Sequence, residues 1–206
     1  MSGQRQSAPR ITALGVVARP SAPSRTSTLV EAVLAAATAE GAADARVIVL
    51  GERVMAFADG TPAENQSGDT RVVLEAVDAA DALVFGTPVY RATMAGEMKN
   101  LLDLLPRGSF DGAAQALRAK PVAIAATGAT AHHFLALDSI AAILRGFFAA
   151  YVVPPGVYAC HADFDADGRL ASESVSEAAW STGKALVALE RAIRASPALR
   201  AVEPQV

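Results

Sequence analysis

Short apolar runs alternate along this chain with longer amphipathic stretches, and no other feature of the sequence restricts its fold so strongly. The pattern predicts strands over residues 11–17, 47–50, 82–86 and 121–126, and helices over 26–40, 70–80, 94–105, 133–148 and 173–194. A fifth strand falls either at Val152 and Val153 or at residues 157–160, on one side or the other of the Pro154-Pro155 break. Strands that alternate with helices build a parallel sheet covered on both faces, and right-handed crossovers then favour a doubly wound order. Residues 51–68 lack periodicity and read as a long loop, functional or mobile. Asp165-Ala166-Asp167-Gly168 reads as a tight turn before the last helix, and roughly residues 1–10 and 197–206 read as loose tails. A length of 206 residues suits one domain spanning 1–206.

Composition narrows the function classes. Of the residues 52% are hydrophobic, but much of the excess is alanine spread along helices, and the apolar runs fall far short of the roughly 20 residues that cross a bilayer. A membrane span is therefore not expected. The N-terminal residues 1–10 are polar, with nothing like the apolar core of a secretory signal, and the single Cys160 has no intrachain disulfide partner, so cytoplasm is the expected compartment. The net charge is −3 and the arginines are dispersed, which argues against nucleic acid as a partner.

An open parallel sheet binds ligands outside the carboxyl ends of its strands. The loop after the first strand, Arg19-Pro20-Ser21-Ala22-Pro23-Ser24-Arg25-Thr26-Ser27-Thr28, gathers hydroxyls and guanidinium groups directly before a helix. Helix N–H groups and the positive end of the helix dipole attract an anion, hydroxyls donate to it, and arginine adds a charged fork. Taken alone, the segment is equally well explained by Ser24 or Thr26 capping the helix in a solvated loop. The absence of glycine argues against a dinucleotide fingerprint and favours a single phosphate.

Two further loops are distinctive. Gly86-Thr87-Pro88-Val89-Tyr90-Arg91-Ala92-Thr93-Met94-Ala95-Gly96 follows the third strand and leads into Glu97-Met98-Lys99-Asn100-Leu101-Leu102-Asp103. A proline-fixed turn can aim backbone groups at a ring edge, and Tyr90 can pack on a ring, although an ordinary connection with a half-buried tyrosine serves as well. After the fourth strand comes Ala126-Thr127-Gly128-Ala129-Thr130-Ala131-His132-His133, whose small residues let the backbone approach a flat ligand. The adjacent histidines point different ways on a helix and lack carboxylate or cysteine companions, so no metal site is expected. Nor is there a Gly-x-Ser-x-Gly elbow or a hydrolytic carboxylate pair.

These loops resemble those of the NAD(P)H-dependent FMN reductases, flavodoxin-like proteins that include the flavin reductases of alkanesulfonate and methanesulfonate systems. The match runs from the first strand to the helix after the fourth. The family's Gly-Ser-x-Arg becomes Ala18-Arg19-Pro20-Ser21, with Arg and Ser exchanged, while Ser24, Thr26 and Ser27 match the later phosphate-contacting positions. The Thr-Pro-x-Tyr loop is kept, and Ala129 replaces the second glycine of Thr-Gly-Gly-Thr. The resemblance implies a flavodoxin-like doubly wound five-stranded parallel sheet, hydride transfer from NADH or NADPH, and FMN held by Arg19, Ser21, Ser24, Thr26, Ser27, Pro88, Val89, Tyr90, Arg91, Thr127, Gly128, Ala129 and Thr130. Such chemistry needs no catalytic triad, because the flavin carries the difficult step. His133 matches a family histidine and is expected to hydrogen-bond locally, and Lys99 and Asp103 are expected on a helix surface. A homodimer or homotetramer is implied, with residues 133–151 supplying contact surface.

Relatives that hand reduced flavin to a monooxygenase carry an extra aromatic that opens a π-bulge in the helix after the fourth strand. None follows Asp138 here, in Leu137-Asp138-Ser139-Ile140-Ala141. Three alternatives stay open beside the flavin reductase: a quinone or azo-type reductase with tightly bound FMN, a flavin electron carrier that does not oxidise NAD(P)H, and, given the Arg19/Ser21 exchange and Ala129, a degenerate flavodoxin fold that serves only as an interaction module.

Overall fold

The computed structural model describes residues 10–19, 24–106 and 115–204. Its strands are β1 (Ile11–Val17), β2 (Ala42–Val49), β3 (Ala82–Tyr90), β4 (Thr93–Met94), β5 (Pro121–Gly128), β6 (Tyr151–Val152) and β7 (Val157–Cys160). The helices are α1 (Arg25–Ala39), α2 (Gly68–Ala79), α3 (Gly96–Leu104), α4 (Ala136–Phe148), α5 (Glu173–Ala195) and α6 (Pro197–Arg200). The sheet runs β2-β1-β3-β5-β6, with β7 also on β5 and β4 on β3. Five parallel positions are filled, as expected, by six strands, while β4 pairs antiparallel with the end of β3. The outermost position is split, since Tyr151 and Val152 pair with the start of β5 while Val157–Cys160 pair with its end. Both candidates for the fifth strand are therefore strands.

Alternating side chains divide the core in two. Leu14, Val16, Leu83, Phe85, Val122 and Ile124 face α2, α3 and α4, whereas Ala13, Val84, Ala123 and Ala125 face α1 and α5. The second face is lined by smaller residues, which brings its helices closer to the sheet. Where α5 crosses α1, Gly183 sits so near that an added Cβ would lie 2.2 Å from the Val33 carbonyl oxygen.

Three regions differ from the sequence pattern. The 51–68 segment, read as functional or mobile, is pinned: the Val54 N–H donates to Asp69 (2.8 Å), that of Ala56 to Thr70 Oγ1 (2.7 Å) and that of Ala58 to Asn100 Oδ1 (2.9 Å). The C-terminal segment also docks. Ser196 caps α6, Tyr151 donates to the Leu199 carbonyl (3.0 Å), and Arg118 reaches the Arg200 and Val202 carbonyls and the Glu203 carboxylate. Third, residues 131–135 form a 3-10 turn, so α4 begins only at Ala136 and then continues without a bulge to Phe148.

At the amino edge of the sheet Asp81 ties β1 to α5. Burial pushes its carboxyl up, but the N–H and hydroxyl of Thr12 (2.8 Å each) and Arg194 (2.6 Å) outweigh that and leave it below the ordinary 3.8. A carboxyl depressed on folding stabilises the fold fully above its unfolded pKa, and that contribution disappears as pH falls through the lower folded value. Urea midpoints of the wild type and Asp81→Asn should therefore differ at pH 7 and converge as pH drops below 3.8. A gap that persists unchanged at pH 2 would refute the linkage.

Candidate functional site

The carboxyl ends of β1, β3, β5 and β7 open onto a cleft of about 760 Å³. One end is the start of α1. Ser24 caps the helix by accepting from the Ser27 N–H (3.3 Å), which leaves the N–H groups of Arg25 and Thr26 without intrahelical acceptors, and the first turn holds no acidic residue. Arg19, Ser24, Arg25, Thr26 and Thr28 line this end. Among the described residues, Arg19 Nε in the lining and Ser27 Oγ in the first turn of α1 are shielded from solvent without a partner. An unpaired buried donor is costly, so these groups suit a ligand rich in acceptors.

The floor and the other side come from β3 and β5. Strand β3 runs on past Gly86 through Thr87 and Pro88, which pair with Ala126 and Thr127 of β5, before turning back into β4. Pro88, Val89 and Tyr90 thus line the cleft from a strand rather than a loop, with Tyr90 half exposed. The two-residue turn is Arg91-Ala92, with φ of 52° and 62°. Both are left-handed positions that side chains adopt only at some cost, and the Thr87 hydroxyl holds the hairpin by accepting from the Ala95 N–H (2.9 Å).

From β5, Thr127, Gly128 and Ala129 line the floor. The Thr127 hydroxyl lies 2.6 Å from that of buried Thr26, which joins the two ends of the cleft. A Cβ on Gly128 would stand 2.1 Å from the Tyr158 hydroxyl, which itself donates to the Thr130 carbonyl (2.6 Å). Burial, with Cys160 and Asp163 nearby, raises the Tyr158 phenol above 10.0, so it remains a donor.

Nine of the thirteen residues implied by the resemblance line the cleft, and Ser27 lies outside the lining in the first turn of α1 with its hydroxyl buried. Arg91 sits in the exposed turn and Thr130 faces Tyr158, both outside the lining, and Ser21 lies outside the described residues. Lys99 and Asp103 pair with each other in solvent at 2.6 Å. His133 Nδ1 is buried with no partner.

A wall that the sequence pattern did not mark stands opposite Pro88. His161, Phe164, Ala166, Asp167 and Gly168 close the cleft after β7. They are held against α1 by the Thr28 hydroxyl on the Gly168 carbonyl (3.3 Å) and by Arg25 over the Phe164 ring (5.8 Å). The available signal was topological: a turn that follows the last strand must emerge at the same carboxyl edge. Among the described residues no three His, Cys, Asp or Glu side chains stand together as a metal site.

The 2-1-3-4-5 order of parallel strand positions, with an anion-suited helix start at the edge of a roomy cleft, defines a flavodoxin-like nucleotide-binding protein. The model of the NADPH-dependent FMN reductases matches residues 11–165. The chain belongs to that family. It is 40% identical over 152 residues to an FMN reductase (NADPH) of Pseudomonas aeruginosa, covering 73% of this chain and 77% of that one. It is 35% identical over 145 residues to the NADH-dependent FMN reductase SfnF of Pseudomonas putida, covering 70% and 74%. Among solved structures, an oxidoreductase from Corynebacterium diphtheriae superposes with a TM-score of 0.67 at 29% identity, over 89% of this chain and 98% of that one. The apo form of the NADH:FMN oxidoreductase EMOB gives 0.70 at 22% identity, over 92% and 94%, a likeness of fold.

Proposed function

We propose that the chain is an NAD(P)H-dependent FMN reductase that folds as one unit and holds the flavin in the cleft described above. The observation that carries this reading is the pair of unpartnered buried groups, Arg19 Nε and Ser27 Oγ, beside the start of α1. A phosphate supplies the acceptors they lack. Ser24, Thr26 and the first N–H groups of α1 complete the cradle, and Ser21 is added on the sequence resemblance alone. Pro88, Val89 and Tyr90 flank the ring system, with Arg91 carrying the turn that aims them. Thr127, Gly128 and Ala129 form the floor beneath it, with Thr130 fixing the far side of the floor through Tyr158.

Bound FMN supplies the hydride acceptor. The protein's part is to orient the ring, keep one face open to the nicotinamide and limit water, and none of these tasks requires a side chain that exchanges protons. If the protein releases its flavin, a flavin-dependent monooxygenase would be the partner that takes it up. The uninterrupted α4 supports a second reading in which FMN stays bound and an external acceptor takes the electrons.

A visible spectrum of protein purified without added flavin, followed by NADH and NADPH oxidation with and without FMN, separates these readings. Colourless protein that FMN activates supports release, and yellow protein that needs only an acceptor supports retention. Absence of both flavin binding and turnover would sink the proposal.

Phe134 and Leu135, in the turn before α4, are each more than half exposed. These exposed apolar side chains support a homodimer or homotetramer, and the lone Cys160, without an intrachain disulfide partner, supports the cytoplasm as compartment. No described helix is long and apolar enough to cross a membrane. Sedimentation velocity should give a mass of two or four chains, and a monomer at micromolar concentration would exclude the assembly.

A further inference from the structure

Strands β1 and β2 are parallel neighbours whose last residues pair, Val17 with Val49. Their loops therefore leave the sheet side by side. After β2 the chain makes a 3-10 turn, Leu50–Glu52, anchored by buried Leu50 and closed by the Arg53 N–H on the Leu50 carbonyl (3.0 Å). After β1 the backbone is fixed by the Ala18 N–H on the Gly86 carbonyl (2.8 Å), and Arg19 extends into the cleft wall with its side chain 11% exposed. The guanidinium NH2 group meets Glu52 Oε1 at 2.5 Å, while its Nε–H is shielded and unpartnered. The other acid on that side, Asp69, is occupied by Arg53 and the Val54 N–H.

We propose that Glu52 is a positioning residue for the anion end of the cleft: it holds the outer end of the Arg19 guanidinium so that the Nε edge is presented to the flavin phosphate. The inference rests on the FMN reading above and adds a residue to it. Glu52 is 62% exposed, and an ion pair so open to water contributes little to stability. Its effect lies instead in restricting a long side chain. An arginine fork binds an oxyanion better when its orientation is set beforehand, because less rotamer freedom is lost on binding. The carboxylate touches one terminal nitrogen and leaves the other N–H groups for the ligand. A carboxylate so near a phosphate also repels it, and the sign of the Glu52→Gln effect decides between orientation and repulsion.

The test compares FMN with riboflavin, which lacks the phosphate, in steady-state assays of the wild type, Arg19→Ala, Glu52→Gln and the double variant. Orientation predicts that the ratio of KM for FMN to KM for riboflavin rises about threefold in Glu52→Gln, in line with the coupling of an exposed pair, and about tenfold in Arg19→Ala. The double variant should be no worse than Arg19→Ala alone, since Glu52 acts through Arg19. A ratio that falls or stays unchanged in Glu52→Gln while rising in Arg19→Ala overturns the role of Glu52 and leaves the phosphate cradle standing. A ratio unchanged in Arg19→Ala overturns the placement of the phosphate, and the role of Glu52 with it.

Discussion

Replacing Gly183 with alanine is expected to destabilise the fold by about 3 kcal/mol, lowering Tm by roughly 6–12 °C for a chain of this size. A methyl group at this position would lie 2.2 Å from the Val33 carbonyl, 2.7 Å from the Ala36 Cβ and 2.8 Å from the Ala37 nitrogen. Two of those atoms are backbone, so no rotamer change can make room and α5 must move away from α1. Such a shift opens the packing of Leu186 and Val187 against Val30, Val33 and Ala37. Gly146 on α4 provides the control, because nothing lies within 4 Å of its added Cβ. Gly146→Ala should be neutral or stabilising by up to about 1 kcal/mol through helix propensity. Equal melting temperatures for Gly183→Ala and the wild type would show that the two helices are not in this contact.

The second large effect is functional. Gly128→Ala is expected to weaken FMN binding at least tenfold, about 1.4 kcal/mol, while leaving the fold intact. Its Cβ would strike the Tyr158 hydroxyl at 2.1 Å, and that hydroxyl is held in place by its bond to the Thr130 carbonyl. Either the floor of the cleft rises or Tyr158 gives up the bond, and both displace the Thr127–Thr130 turn. Removing the hydroxyl relieves most of the collision, so the Gly128→Ala, Tyr158→Phe double variant should recover part of the affinity. The residual contact, 3.1 Å to the phenol Cζ, keeps recovery incomplete. Fluorescence titration reads both effects, and wild-type affinity in the single variant would mean the turn does not contact the ligand.

Much of this architecture was legible because buried strands and amphipathic helices each impose a period on the sequence. What stayed hidden follows from non-local pairing. Strand β2 begins at Ala42, well before the apolar run at 47, because residues 43–46 lie exposed at a sheet edge and need no hydrophobic pattern. The Thr87-Pro88 pair reads as a strand breaker, yet β3 continues through it, since the register with Ala126 and Thr127 and the return of β4 support the extension. The C-terminal residues look loose in sequence because their partners, Arg118 and Tyr151, are distant along the chain.

The site divides the same way. Cleft residues on the strand-to-helix connections could be found from chemistry and topology, and the hydroxyl-rich segment after β1 stood out by its composition. Phe164, Asp167 and Gly168 were signalled by topology alone, because their place against α1 depends on how the segment after β7 folds back. Glu52 was silent: a lone glutamate after an edge strand acquires meaning only once Arg19 is seen beside it.

The split outer strand has a consequence for how copies of this chain can meet. An exposed strand edge is a template for uncontrolled pairing with other chains. Here one edge is interrupted between β6 and β7 by Pro154 and Pro155, neither of which has an N–H to offer, and the other, β2, places Asp44 and Arg46 outward. Both borders of the sheet thus carry features that disfavour added strands and runaway β-aggregation, which favours ordered association through the helical faces.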